Sequence, residues 1–146
     1  MCARFCLVVL LCTVCLTGCG KRLPNRPSGL PDTTPYTLTV TFGDEKIEGV
    51  SVLFTPKDKF QRWYAGGKTD SDGKAIMKTG GHYIGVVPGE YTVSFQKTGR
   101  VELDEHDMPI RSHSLIPIKY TAGQSKETII VTTEQSDYDF KLTTDN

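Results

Sequence analysis

From Tyr36 to Leu142 the sequence repeats with a period of two, and no window of eleven or more residues repeats with the 3.6-residue period of a helix. Tyr36, Leu38, Val40 and Phe42 alternate with Thr37, Thr39 and Thr41, the pattern of a half-buried strand with a polar outer face. Val50, Val52 and Phe54 alternate with Ser51, Leu53 and Thr55 until Pro56, which cannot donate to a strand ladder. Tyr91, Val93 and Phe95 follow the turn Pro88-Gly89, Ile129 to Val131 form a shorter apolar run, and Tyr138, Phe140 and Leu142 close the chain with period two again. Gln61 to Lys68 and Lys74 to Lys78 read as weaker strands around Asp70-Ser71-Asp72-Gly73. Helical and α/β folds are excluded. The pattern predicts an all-β chain, a single antiparallel β-sandwich of about seven strands. Val52, Phe54, Tyr91, Val93 and Phe140 are expected to be buried on its facing sheets.

All five cysteines (Cys2, Cys6, Cys12, Cys15 and Cys19) lie in the first nineteen positions. The sandwich therefore contains no disulfide and must be held by its core alone. Arg4 is the only charged side chain before Lys21, and Phe5 to Leu16 is an apolar run broken only by Thr13. That run is shorter than the roughly 17–25 residues a spanning helix needs. It does fit the h-region of a secretory signal, about 7–15 residues. Small residues, Thr17 and Gly18, then lead into Cys19.

Leu16-Thr17-Gly18-Cys19 resembles the lipobox of bacterial lipoproteins position for position. The resemblance implies that the Cys19 thiol receives a diacylglycerol, that residues 1–18 are removed as a signal peptide, and that the mature N-terminus is tied to a membrane. Several buried acyl chains, at about 0.8 kcal/mol per CH₂, anchor stably where a single chain does not. Gly20 rather than Asp follows Cys19. In that family this implies the outer membrane rather than the inner one, in a cell that has both.

The chain without its first 18 residues carries 16 Lys+Arg, Arg4 having gone, against 17 Asp+Glu, a formal charge of −1. Such a balance offers no electrostatic footprint for nucleic acid. Residues 19–35 hold Pro24, Pro27, Pro31 and Pro35 with Ser28 and Gly29 between them, and read as a tether ahead of a domain at 36–146. Fully extended at about 3.1 Å per residue, it would lift that domain about 40–50 Å from its lipid. Lys21, Arg22 and Arg26 stand where they would meet anionic headgroups or simply keep the tether solvated.

Gly43 to Pro56 (GDEKIEGVSVLFTP), Gly66 to Thr79 (GGKTDSDGKAIMKT) and Val87 to Phe95 (VPGEYTVSF) form a spaced series. It resembles the transthyretin-like, or carboxypeptidase-regulatory-like, β-sandwich domain found in small bacterial lipoproteins. Ile116 to Tyr120 and Tyr138 to Leu142 are similar to the end of those proteins. The resemblance covers Tyr36 to Leu142 and implies an Ig-like sandwich. One hydrolase of the transthyretin-like group uses paired histidines and ends in Tyr-Arg-Gly-Ser, whereas this chain ends Lys141 to Asn146 without that tail. No catalytic role carries over, and no nucleophile elbow, His-Glu-x-x-His or phosphate-binding glycine loop is present. A non-catalytic module is expected.

Thr69 to Gly73 can be laid on an EF-hand loop, but Lys68 then takes the first ligand position and Thr79 the twelfth, which removes the carboxylates calcium needs. A hairpin turn is expected there instead. His106 and His113 sit in the acidic stretch Gly99 to Ser114 with Glu102, Asp104, Glu105 and Asp107, without the compact spacing of a zinc site. A solvated loop between strands is expected; neither metal nor cofactor is. Arg62, Trp63 and Tyr64 form the candidate ligand surface, for a glycan or a protein. In a strand the two rings point to opposite faces, one to the core and one outward.

Overall fold

The structure is a computed structural model that describes residues 25–103, 105–106 and 109–144. The lipobox, Leu16 to Cys19, lies outside the described residues, as do Lys21, Arg22 and Pro24. The chain is all-β. Its strands are β1 (Thr37–Phe42), β2 (Glu45–Lys46), β3 (Ser51–Pro56), β4 (Ala65–Lys68), β5 (Lys74–Ile76), β6 (Lys78–Thr79), β7 (Tyr83–Ile84), β8 (Gly89–Gln96), β9 (Thr98–Leu103), β10 (Pro109–Ser114), β11 (Thr128–Val131) and β12 (Asp137–Leu142). One sheet runs β11-β8-β3-β4-β6-β7. The other has β1 at its centre, with β12 on one side and β2 and β5 on the other. The described residues form twelve strand segments rather than the expected seven or so, because β2, β5, β6 and β7 are pieces of two or three residues and the ribbon β9–β10 adds two more.

The core fills the space between the sheets. Leu38 and Val40 of β1 meet Val52, Phe54, Tyr91, Val93 and Phe95 of β3 and β8, all buried. Phe54 lies 6.0 Å from the Tyr36 ring and 5.7 Å from the Tyr91 ring, so one aromatic column crosses the sandwich. Met77 is fully buried at the point where the chain leaves β5 in one sheet and enters β6 in the other; its N–H donates to the Tyr36 carbonyl at 2.9 Å.

Several expectations need correction. Phe140 is only half-buried, because β12 is an edge strand and its inner face opens at the sandwich margin. There it stacks on Phe95 at 4.6 Å and meets Tyr120 edge-on at 6.2 Å, the latter held in a short 3₁₀ turn, Ile118–Tyr120. Nor are the sheets wholly antiparallel, since β12 pairs with β1 in parallel, Val40 opposite Phe140. Both strands enter from the same end, Thr37 N–H donating to the Ser136 carbonyl at 2.9 Å. Gly99 to Ser114 is not a loop but most of a two-stranded ribbon, β9 paired with β10.

The proline-rich segment also departs from a free tether. From Asn25 onward it lies along β7: the Tyr83 hydroxyl donates to the Asn25 carbonyl, the Thr33 hydroxyl donates to the Ile84 carbonyl, and Thr34 and Val86 exchange both backbone bonds. Leu30 is buried. Gly85 permits this docking. Its φ is +101°, and a Cβ there would stand 2.5 Å from the Thr34 carbonyl oxygen. Prolines forbid a ladder within the segment but not a dock built from side chains and a single bridge.

Thr69 to Gly73 forms the expected turn. The Asp70 carboxylate accepts from the backbone N–H groups of Asp72 and Lys74, both at 2.9 Å, and Gly73 has a φ of +71°. Asp70, rather than Asp72, is the closing side chain. Asp70→Ala is expected to cost about 1 kcal/mol and Asp72→Ala close to nothing, as read from urea unfolding; equal costs would mean the Asx bonds contribute nothing.

Two buried tyrosines give a sharper contrast. The Tyr91 hydroxyl donates to the Val87 carbonyl and accepts from the Gln61 amide, while the Tyr36 hydroxyl is buried with no partner. Burial pushes both phenols up to about 12, Tyr36 with help from Tyr138 and Asp137, Tyr91 against the opposing Gln61 bond. Tyr91→Phe should cost about 1–3 kcal/mol, whereas Tyr36→Phe should be neutral or stabilising by about 1 kcal/mol. Unfolded tyrosine ionises near 10, so both contributions are fully present below that pH and are lost as pH rises through about 12. Melting temperature should therefore fall across that alkaline window, less steeply in either variant; an unchanged slope in both would refute the assignment.

Candidate functional site

Strand register assigns each loop to an end of the sandwich. β3 runs from Ser51 opposite Gln96 to Pro56 opposite Tyr91, and β4 runs back from Ala65. The connection 57–64 therefore caps the same end as Gly89, where β8 begins. Thr79 pairs with both Ala65 and Tyr83, so the turn Gly80 to His82 caps this end too, and the Gly80 N–H donates to the Tyr64 carbonyl at 3.0 Å. The docked N-terminal segment reaches the same end, at Asn25 beside Tyr83. The ribbon β9–β10 and the Asp70 turn lie at the opposite end.

Arg62, Trp63 and Tyr64 thus belong to a capping loop, not to a strand. This corrects the expectation that one ring enters the core. Trp63 is half-buried and outside the core cluster, and Tyr64 is 52% exposed. Arg62 is exposed beside them. Because the β3–β4 ladder ends at Phe54 opposite Ala65, the two rings are not set on opposite faces of a sheet.

The loop is pinned from below. The Gln61 amide donates to the Tyr91 hydroxyl, the Lys57 N–H donates to the Glu90 carbonyl at 2.9 Å, and Lys57 Nζ lies 2.6 Å from the Glu90 carboxylate. The Asp58 carboxylate accepts from the Phe60 N–H at 2.9 Å, turning the chain outward. Phe60 is consequently 83% exposed, more than any other large apolar side chain among the described residues, with Lys59 Nζ 5.3 Å above its ring. Phe60 was not among the residues singled out from the sequence. An aromatic between Lys57, Lys59 and Arg62, outside every period-two run, was the available signal.

Two shallower features lie elsewhere. A groove of about 530 Å³ on the outer face of the larger sheet is lined by Ser51, Leu53, Ser94, Gln96 and Thr98 near the root of the ribbon. A second, of about 470 Å³, has Gly66 and Gly67 as its floor with Lys68, Lys74 and Lys78 around it. His106 is exposed with Glu105 3.9 Å from Nδ1, and His82 meets Tyr83 edge-on. Asp104 and Asp107 lie outside the described residues. Among the described residues no three His, Cys, Asp or Glu side chains come close enough to hold a metal ion, and no helix is long and apolar enough to cross a membrane.

Compared with known proteins, the chain matches no family model, no curated protein and no solved structure. Gln61→Ala should unpin the capping loop, leaving Tyr91 with one partner instead of two. Trypsin cleavage after Lys59 and Arg62 should accelerate by about tenfold while global stability falls by only about 1 kcal/mol. Cleavage at the wild-type rate would show that Gln61 does not hold the loop.

Proposed function

We infer that this chain is an exported, lipid-anchored β-sandwich that acts as a non-catalytic structural or interaction module of the cell envelope. The observation that carries the reading is Leu16-Thr17-Gly18-Cys19 closing an apolar run that follows a single positive charge. Every cysteine lies at or before that point, so the folded domain uses no thiol and Cys19 is left for attachment. The two-sheet architecture supports kinship with the transthyretin-like domain, whose strand and hairpin motifs fall here on β3, on the Asp70 turn and on β8. Gly20 favours the outer membrane where there is one. The described surface supports display rather than chemistry: an aromatic and basic loop at one end, and a projecting ribbon at the other.

Glycan or peptide binding is a second reading. The groove beside Ser51, Leu53, Ser94 and Gln96 favours it, because hydroxyls and an amide flanking an apolar side chain suit a sugar or an extended backbone.

Cys19→Ser tests the anchor. A hydroxyl is a far weaker nucleophile than a thiol with a pKa near 8.5, so the variant should incorporate no fatty-acid label. It should persist as a precursor heavier by its 18-residue signal. The domain should fold normally, since Cys19 precedes every residue packed in the core. A wild type of unacylated mass, or a variant cut at the wild-type bond, would refute the anchor.

A further inference from the structure

We propose that the capping end built from residues 57–64 and the Gly80–Tyr83 turn is a membrane-contact surface that seats the sandwich directly on the bilayer holding its own lipid. The inference rests on the anchor at Cys19 and adds to it a fixed orientation and a short standoff.

Chain length provides the first argument. Asn25 is held at this end by the Tyr83 hydroxyl, and Arg26 closes the following turn by donating to the carbonyls of Leu30 and Pro31. Only six peptide links separate Asn25 from Cys19. Whatever path they take, covalent geometry limits their span to about 20 Å. With its thiol acylated, Cys19 sits at the lipid headgroups, so the Asn25 end of the domain faces the bilayer and stays within that distance. The opposite end, with the Asp70 turn and the ribbon, faces away.

Surface chemistry provides the second, and it is independent of the first. The end that the short link turns toward the bilayer also carries Phe60, 83% exposed, and Tyr64, 52% exposed, with Trp63 half-buried behind them. Three cations, Lys57, Lys59 and Arg62, share the loop with a single acid, Asp58. Glu90 neutralises Lys57, and the Asp58 carboxylate is engaged by the Phe60 N–H, which leaves Lys59 and Arg62 exposed beside the rings. Tyrosine and tryptophan concentrate at the headgroup level, where an apolar ring and a polar edge are both satisfied, and basic side chains there meet anionic lipid. Lysine stems also bury along apolar surface while the ammonium stays wet. The exposed rings that a water-facing loop leaves unsatisfied suit an interface. The Gln61, Lys57 and Gly80 bonds hold the loop in place, so little ordering is required on contact.

Trp63 is the only tryptophan in the chain, so its fluorescence reports this end without a label. The full-length protein, its acylation verified by intact mass, is reconstituted into phosphatidylethanolamine–phosphatidylglycerol vesicles with and without a lipid bearing a nitroxide near the headgroup. Trp63 emission should shift to the blue and lose at least about half its intensity to the nitroxide. A fluorophore on Ser71→Cys, at the far end, should lose less than about a tenth. Replacing Phe60 and Tyr64 together by Ser should cut Trp63 quenching about threefold with acylation and circular dichroism unchanged. Acylated, vesicle-bound protein with Trp63 no more quenched than the Ser71 label overturns the membrane contact and leaves the surface to a glycan or protein, while the anchor stands. Wild-type protein of unacylated mass overturns the anchor and this proposal with it.

Discussion

The fold depends on the aromatic column Tyr36–Phe54–Tyr91. It crosses the space between the sheets, joining the residue that leads into β1, the central strand β3 and the long strand β8. Aromatic side chains bury the largest areas available to a core, and around this column Leu38, Val40, Val52 and Val93 pack into the same buried cluster. Met77 reinforces the same point, its N–H bonded to the Tyr36 carbonyl while its side chain fills the core.

From that column the structure reaches outward to its surface. The Tyr91 hydroxyl stands at the end of the core and holds Gln61 by a hydrogen bond, and through it the loop that displays Phe60, Trp63 and Tyr64. On the other flank, Val86 continues from the core into the bridge with Thr34, so the N-terminal segment is docked by the same layer. Two features far apart in sequence thereby meet at one end: the docked N-terminal segment and the exposed rings. A displaced column would loosen both. The remaining margin, between the edge strands β11 and β12, is closed differently, by Phe95, Tyr120 and Phe140 packed edge-on and tilted.

The ribbon β9–β10 stands apart from this scheme. Its strands pair with each other, with register shifts between Pro109 and Arg111 and between Ser112 and Ser114. Among the described residues no third strand pairs with it, and a two-stranded ribbon by itself is marginal in water. Its root is fastened where the Leu115 N–H donates to the Lys97 carbonyl at 2.8 Å and Lys97 Nζ donates to the Glu48 carbonyl at 2.6 Å.

Local pattern by itself determined the strands of the core. Alternation at Tyr36 to Phe42, Val50 to Phe54 and Tyr91 to Phe95 decides which side chains face inward, because a strand has only two faces and one must be apolar. Asp-Gly at the Asp70 turn was equally legible, since few other residues accept positive φ there. The resemblance of Leu16 to Cys19 to a lipobox belongs to the same category, a motif read by position. Tertiary structure alone decided the rest. That β12 lies parallel to β1, that Phe140 is half-open and that residues 25–34 dock along β7 all depend on which strand becomes an edge, a choice made by pairings between residues far apart in the chain. Trp63 and Tyr64 show the limit most clearly. Their sequence suits a strand, but the β3–β4 ladder ends at Phe54 opposite Ala65, which leaves residues 57–64 as the connection between the two strands.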